Sequence, residues 1–199
     1  MSDENQFRIA ILMLCIATLA VVGYHRVQAG RSGERIDRRQ EGLPLAIALR
    51  LVGLAMWVGV LTYLLNPAWM AWSQVALPDE IRWLGALCGV LFIALIYWTL
   101  SNLGKNLTDS VVTRSAATLV TSGPYRYIRH PFYVSVALVI AAIAVLSANV
   151  FLALAGTAAL ALLVLRTPIE ERKLLEKFGE PYREYVARTG RFVPRMRRS

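Results

Sequence analysis

Histidine is nearly absent from this sequence: His25 and His130 are the only two in 199 residues. A multi-histidine metal site is therefore excluded, because zinc sites of that kind draw several ligands from imidazole side chains. Cysteine is equally scarce. Cys15 and Cys88 both fall inside apolar runs, without Cys-x-x-Cys or Cys/His spacing, and read as small packing residues. No glycine-rich phosphate loop and no Gly-x-Ser-x-Gly elbow is present, which argues against phosphate-loop nucleotide enzymes and nucleophile-triad hydrolysis. Charged residues make up only 18% of the chain against 56% hydrophobic, a balance foreign to a soluble domain of this length.

What the sequence has instead is apolar runs approaching the 20 residues that a helix needs to cross about 30 Å of hydrocarbon. Five spans are expected, at about Phe7 to Tyr24, Leu43 to Leu65, Ile81 to Leu100, Phe132 to Leu146, and Val150 to Leu165. The fold class is thus an all-α integral membrane bundle with a short C-terminal interfacial helical segment. One membrane domain is expected over 1–199, its first three spans in 1–100 and the functional region in 101–199. The N-terminal run follows an acidic Asp3-Glu4 leader and meets no small-x-small cleavage site, so it reads as a retained helix rather than a signal peptide.

The net charge of +9 follows the spans. Loop one carries Arg26, Arg31, Arg35, Arg38 and Arg39; loop three carries Lys105, Arg114, Arg126 and Arg129; loop two, Asn66 to Glu80, carries none. With five crossings this places the N-terminus outside and loops one and three with the C-terminus inside. Basic residues arranged this way, including Arg195, Arg197 and Arg198, suit lipid headgroups rather than nucleic acid. Arg50 and Arg82 lie within or at the start of spans, where snorkelling to the nearest interface is the favoured reading and a charge facing an active cavity the sharper one.

The last two spans are short and separated only by Ser147, Ala148 and Asn149, which predicts a tight helical hairpin. Ala137, Ala141, Ala144 and Ala148 recur at helical spacing and are answered by Ala155, Gly156 and Ala159, as close packing in lipid requires. Beyond Arg166 the composition turns polar. Leu174, Leu175 and Phe178 mark an amphipathic helix stopped at Gly179, and Pro181 suits the first turn of another that carries Tyr182 and Tyr185.

Two clusters flank this hairpin. Before it stands Gly123-Pro124-Tyr125-Arg126-Tyr127-Ile128-Arg129-His130-Pro131-Phe132-Tyr133, with Gly-Pro marking a turn and Pro131 placed to start a helix. After it stands Arg166-Thr167-Pro168-Ile169-Glu170-Glu171. If the helix continues through Pro168, Arg166 and Glu170 share a face; if Pro168 starts a new helix, both glutamates sit near its positive end. Taken singly, each cluster could be ordinary interfacial decoration. A hairpin brings its own ends together, so His130 and Glu170 are expected as near neighbours in one inner-surface pocket, richer in polar groups than a structural belt needs.

These residues resemble the isoprenylcysteine carboxyl methyltransferases and the related phospholipid N-methyltransferases. The resemblance runs from about Leu103 to Pro194 through Leu103-Gly104, Leu119-Val120-Thr121-Ser122-Gly123-Pro124-Tyr125, Arg129-His130-Pro131-Phe132-Tyr133, Arg166 with Glu170-Glu171, Phe178-Gly179, Tyr182, Tyr185, and Gly190-Arg191 before Pro194. It implies an S-adenosylmethionine-dependent methyltransferase whose cofactor is held by Leu119, Val120, Tyr125, His130, Pro131, Phe132, Tyr133 and Glu170. Arg166 would face a lipidic or lipid-attached acceptor, most readily a carboxylate, and Glu171 would be the base if the acceptor were an amine. Ala117, where the family often has histidine, and Leu107-Thr108, where aromatic-Ser is common, depart from the pattern and bear on the acceptor. An inner-membrane or endoplasmic-reticulum location follows, with the site facing the cytoplasm. A methyltransferase acting on a phospholipid amine or a small thiol, a sterol-type reductase using NADPH and similar around its Arg-His-Pro segment, and a non-catalytic membrane adaptor are the competing readings.

Overall fold

The computed structural model describes residues 4–30, 43–104 and 118–195. Most of loop one, the 105–117 part of loop three with Ala117 and Leu107-Thr108, and the terminal Arg197 and Arg198 lie outside the described residues. The helices are α1 (Glu4–Gly30), α2 (Leu43–Leu65), α3 (Asp79–Leu103), α4 (Pro131–Ser147), α5 (Val150–Phe178) and α6 (Glu180–Arg188), with short 3₁₀ helices at Pro67–Ser73 and Gly123–Arg126. Among the described residues there is no β-strand, and the only bridges pair Gln74 with Asn149 and Ile128 with Gly190. The chain is a helical membrane bundle: α1, α2, α3 and α5 are long and apolar enough to cross a bilayer, and α4 is a shorter apolar helix.

Each helix turns a narrow stripe inward and leaves the rest to lipid. On α1 the buried side chains Phe7, Ile11 and Leu14 recur at three- and four-residue steps, whereas Ile9, Leu12, Met13 and Ile16 are exposed. On α3 the stripe is Arg82, Gly85, Gly89, Phe92, Ile96 and Leu100. The hydrophobic effect does not drive packing between such helices, so close approach matters more. Helix α3 approaches the backbone of α4 closely: a Cβ on Gly85 would stand 2.9 Å from the Ala142 carbonyl oxygen and 2.9 Å from the Leu146 nitrogen. Within the hairpin, Gly156 faces Ile140, whose Cγ2 would lie 2.5 Å from an added Cβ. At Gly156 the expected seam of small residues is a small-against-large contact, because the glycine leaves a hollow that the branched Ile140 side chain fills.

The hairpin turns at Ala148, which adopts a left-handed conformation (φ 47°), and Asn149 caps α5 by accepting from the Leu152 N–H. α5 then runs unbroken through Pro168 to Phe178. Proline costs a helix one hydrogen bond and does not always end it. Consequently Arg166 and Glu170 lie one turn apart on one helix. Gly179 (φ 59°) ends α5, and α6 buries Tyr182 and Tyr185.

Arg82 overturns the snorkelling expectation. It is buried at the end of the bundle opposite His130, where its guanidinium donates to both Glu4 carboxylate oxygens (2.8 and 3.0 Å), to the Leu146 carbonyl (3.0 and 2.7 Å) and to the Tyr63 hydroxyl (3.1 Å). It also lies over the Phe7 ring, 3.7 Å from its centroid. A charge that finds an anion, a carbonyl and an aromatic face inside the bundle has no reason to reach for the surface. Arg50 is exposed, as snorkelling requires.

Candidate functional site

The site grows out of the turn that precedes α4. Gly123 has φ 57°, a region that other residues avoid, and packs directly on Asn102 at the end of α3, while Ser122 donates to the same Asn102 side chain (3.1 Å). This pins the start of Gly123–Arg126 to the third span. The chain then presents Ile128 inward and delivers Arg129, His130 and Pro131 to the head of α4. Pro131, buried, occupies the first turn, where its missing N–H costs nothing.

The N–H groups around His130 are taken up by a remote part of the chain. Arg129 N–H donates to the Gly190 carbonyl (2.9 Å), His130 N–H to the Arg191 carbonyl (3.1 Å), and Gly190 N–H to the Tyr127 carbonyl (3.4 Å). The 189–193 segment therefore lies alongside 127–130 as a strap. Gly190 is required there, because a Cβ would fall 1.7 Å from the Val193 carbonyl oxygen.

Side chains close the same junction. Glu171, on the polar extension of α5 past Leu165, accepts from Arg129 Nε (2.9 Å), His130 Nε2 (3.2 Å) and Arg191 Nε (3.2 Å) on one oxygen, and from a terminal nitrogen of Arg191 on the other. Partial burial pushes its carboxyl up, but hydrogen bonds from His130, Arg191 and Arg129 outweigh that and hold it well below the usual carboxylate range. An ionised carboxylate has no proton to give, so His130 Nε2 is the donor in that bond. Arg129 also donates to the Thr189 carbonyl (2.5 Å). Glu170 points to a different partner and accepts from the Tyr133 hydroxyl (2.6 Å).

Aromatic rings line the space between. The His130 and Tyr133 rings stack at 5.3 Å and 15°, and Phe192 leans on both at 5.8 and 6.3 Å. Tyr185 donates to the Tyr125 carbonyl (2.7 Å), which joins α6 to the turn. Burial raises the Tyr125 phenol, with Glu170 and Tyr185 adding to it; burial also raises Tyr182 and pushes Tyr185 up to about 12. All three hydroxyls thus stay protonated at physiological pH. The Tyr182 hydroxyl is buried and has no hydrogen-bond partner among the described residues, although the Glu171 charge acts on it.

The structure thus brings Tyr125, His130, Tyr133, Glu170 and Glu171 together, and divides the expected pairing: His130 binds Glu171, and Tyr133 binds Glu170. Arg166 is half-buried one turn before Glu170, and its charge acts on the Tyr133 hydroxyl. Phe132 stands edge-on to Tyr133 and is partly exposed. Leu119 and Val120 are half-buried in the irregular stretch ahead of Gly123.

Residues 84–176 match the isoprenylcysteine carboxyl methyltransferase (ICMT) family. The ICMT match spans most of α3, the turn, α4 and α5, and so contains Tyr125, His130, Tyr133, Arg166, Glu170 and Glu171. It starts earlier than the Leu103 boundary of the resemblance and stops before the strap, so Arg191 and Phe192 stand outside it. Together with the membrane bundle, the ICMT match supports reading the chain as a membrane methyltransferase. No curated protein matches the chain.

Two contributors to the site escaped the reading of residue types. Arg191 and Phe192 sit about 20 residues beyond Glu171, and only Gly190-Arg191 carried a signal, as a fragment without a role. Their place follows from the backbone pairing of the strap, which no local spacing encodes.

Proposed function

We propose that the chain is an S-adenosylmethionine-dependent methyltransferase acting on a lipidic or lipid-attached acceptor, most readily a carboxylate such as that of an isoprenylcysteine. The observation that carries this reading is the pairing of Tyr133 with Glu170 beside the His130–Glu171 contact, at the joined ends of a membrane hairpin inside the segment that matches the ICMT family. The donor set fits the cofactor. A sulfonium is cationic, and the Glu170 carboxylate with the aromatic rings of His130, Tyr133 and Phe192 is the environment such a cation favours. The buried Tyr182 hydroxyl adds a hydrogen-bonding group that lacks a protein partner among the described residues.

When bound, the cofactor supplies an activated methyl group. The protein's task is then alignment and exclusion of water rather than proton chemistry. Glu170, oriented by Tyr133, supplies negative charge to the cofactor side; Leu119, Val120, Pro131 and Phe132 supply apolar wall. Arg166, on the same helix face as Glu170, holds an acceptor carboxylate as the anion that attacks. Glu171 serves as the keystone that ties Arg129, His130 and Arg191 together. Its lowered pKa and its hydrogen bonds suit that part better than a general base, which favours a carboxylate acceptor over an amine. The basic residues of loops one and three support a site on the cytoplasmic side, of the inner membrane or the endoplasmic reticulum.

Purified protein in detergent should bind S-adenosylmethionine and S-adenosylhomocysteine, and Glu170→Ala should abolish that binding without loss of the folded bundle. Binding of NADPH alone would replace this reading with a reductase, and binding of none of the three would favour an adaptor. Label from the donor methyl group should enter a lipid or lipid-modified fraction in base-labile form, as an ester requires.

A further inference from the structure

The end of the bundle opposite the candidate site holds a second organised structure. Helix α4 has 17 residues, a length of about 26 Å, against roughly 30 Å of hydrocarbon. With its first turn at the level of the site, its other end does not clear the far boundary. The last carbonyls of a helix lack helical partners, and in lipid they must find others within the protein.

The protein supplies those partners from outside the hairpin. The Leu146 carbonyl accepts from Arg82, and the Ala148 carbonyl accepts from Val75 N–H (2.8 Å). Asn149 reaches across with its side-chain amide to Ser73 Oγ (2.8 Å) and the Met70 carbonyl (3.4 Å), and its backbone bridges Gln74. These contacts seat the 3₁₀ helix Pro67–Ser73 over the hairpin tip, with Met70 and Ser73 buried against it. The opposite side of the same short helix presents Trp69 and Trp72, 62% and 73% exposed, next to Leu65 at 69%. Backbone held this firmly while showing two indoles outward suits the boundary between headgroup and hydrocarbon, where an indole buries its rings and keeps its N–H wet. The segment 66–78 contains no lysine or arginine to seek anionic lipid.

We infer that Pro67–Ser73 is a membrane-seated cap. It lies in the zwitterionic lipid interface of the leaflet opposite the candidate site, anchored by Trp69 and Trp72, and seals the tip of a hairpin whose α4 arm is too short to cross the bilayer alone. This does not depend on the proposed activity.

The test uses the full chain in vesicles of zwitterionic phospholipid brominated at shallow, middle or terminal acyl positions. Tryptophan emission of the wild type minus that of a Trp69→Phe, Trp72→Phe double variant isolates the two indoles. The expected difference emission is quenched most by the shallow label and weakly by aqueous iodide. Strong iodide quenching without lipid quenching, or maximal quenching by the terminal label, would overturn the cap. Asn149→Leu, which removes the tie to Ser73 and Met70, should raise iodide quenching of the same two indoles; no change would overturn the role given to the hairpin tip. If the double variant fails to fold, Ala71→Cys in a Cys15→Ala, Cys88→Ala background can carry a polarity-sensitive fluorophore. Interface-like emission supports the cap, and water-like emission refutes it.

Discussion

Replacing Arg82 by alanine tests how this bundle is held at its far end. The substitution removes the bonds to both Glu4 oxygens, to the Leu146 carbonyl and to Tyr63, together with the contact over Phe7. Removing one partner of a buried ion pair costs about 3–5 kcal/mol. The Glu4 side chain retains a quarter of its exposure and can rehydrate, so the lower end applies. A loss of about 3 kcal/mol corresponds to a fall in Tm of roughly 6–12 °C for a chain of this size. Thermal unfolding in detergent followed by far-UV circular dichroism measures it. Glu4→Gln should cost less, because Arg82 keeps Leu146 and Tyr63, and the double variant should cost much less than the sum. If Arg82→Ala melts with the wild type, or if the two losses add, the guanidinium is not the tie described.

Other outcomes follow from the site. Tyr133→Phe removes the hydroxyl that orients Glu170 but keeps the ring that stacks on His130, so S-adenosylhomocysteine affinity should fall roughly tenfold, the equivalent of about 1.4 kcal/mol; titration calorimetry reads it. Gly190→Ala meets the Val193 carbonyl and should release the strap, seen as faster amide exchange at Arg129 and His130 with the α3 core unchanged. The stabilisation contributed by Glu171, whose folded-state carboxyl is lowered, should be complete above its ordinary value of 4.5 and be lost as pH falls below it toward the folded value. Glu171→Gln should flatten that acid limb of a Tm-against-pH curve, and an unchanged slope would show that other carboxylates set it.

Much of this architecture was legible from local pattern. The bilayer demands long apolar runs, so the spans announced themselves by length; Gly123, Pro131, Gly179 and Pro181 carry backbone preferences strong enough to place turns and helix starts without tertiary help. The hairpin Ser147-Ala148-Asn149 is short enough that its two ends must lie together, which alone brought His130 within reach of the paired glutamates. Even the persistence of α5 through Pro168 was one of two alternatives that the residues allowed.

What the sequence could not decide was every pairing between remote segments. Whether His130 meets Glu170 or Glu171 depends on the rotation of α4 against α5, a fraction of a helical turn along a seam where Ile140 packs on Gly156. The strap at Gly190 pairs with the backbone of Tyr127 to His130 through a chain path that runs by way of α6, which Tyr185 ties to the turn. Arg82 looked like a residue reaching for water, because residue type and depth say nothing about what stands opposite. Apolar length and turn chemistry are properties of the chain itself, whereas the partner of a charge belongs to the assembled bundle, where desolvation makes an unpaired group too costly to leave.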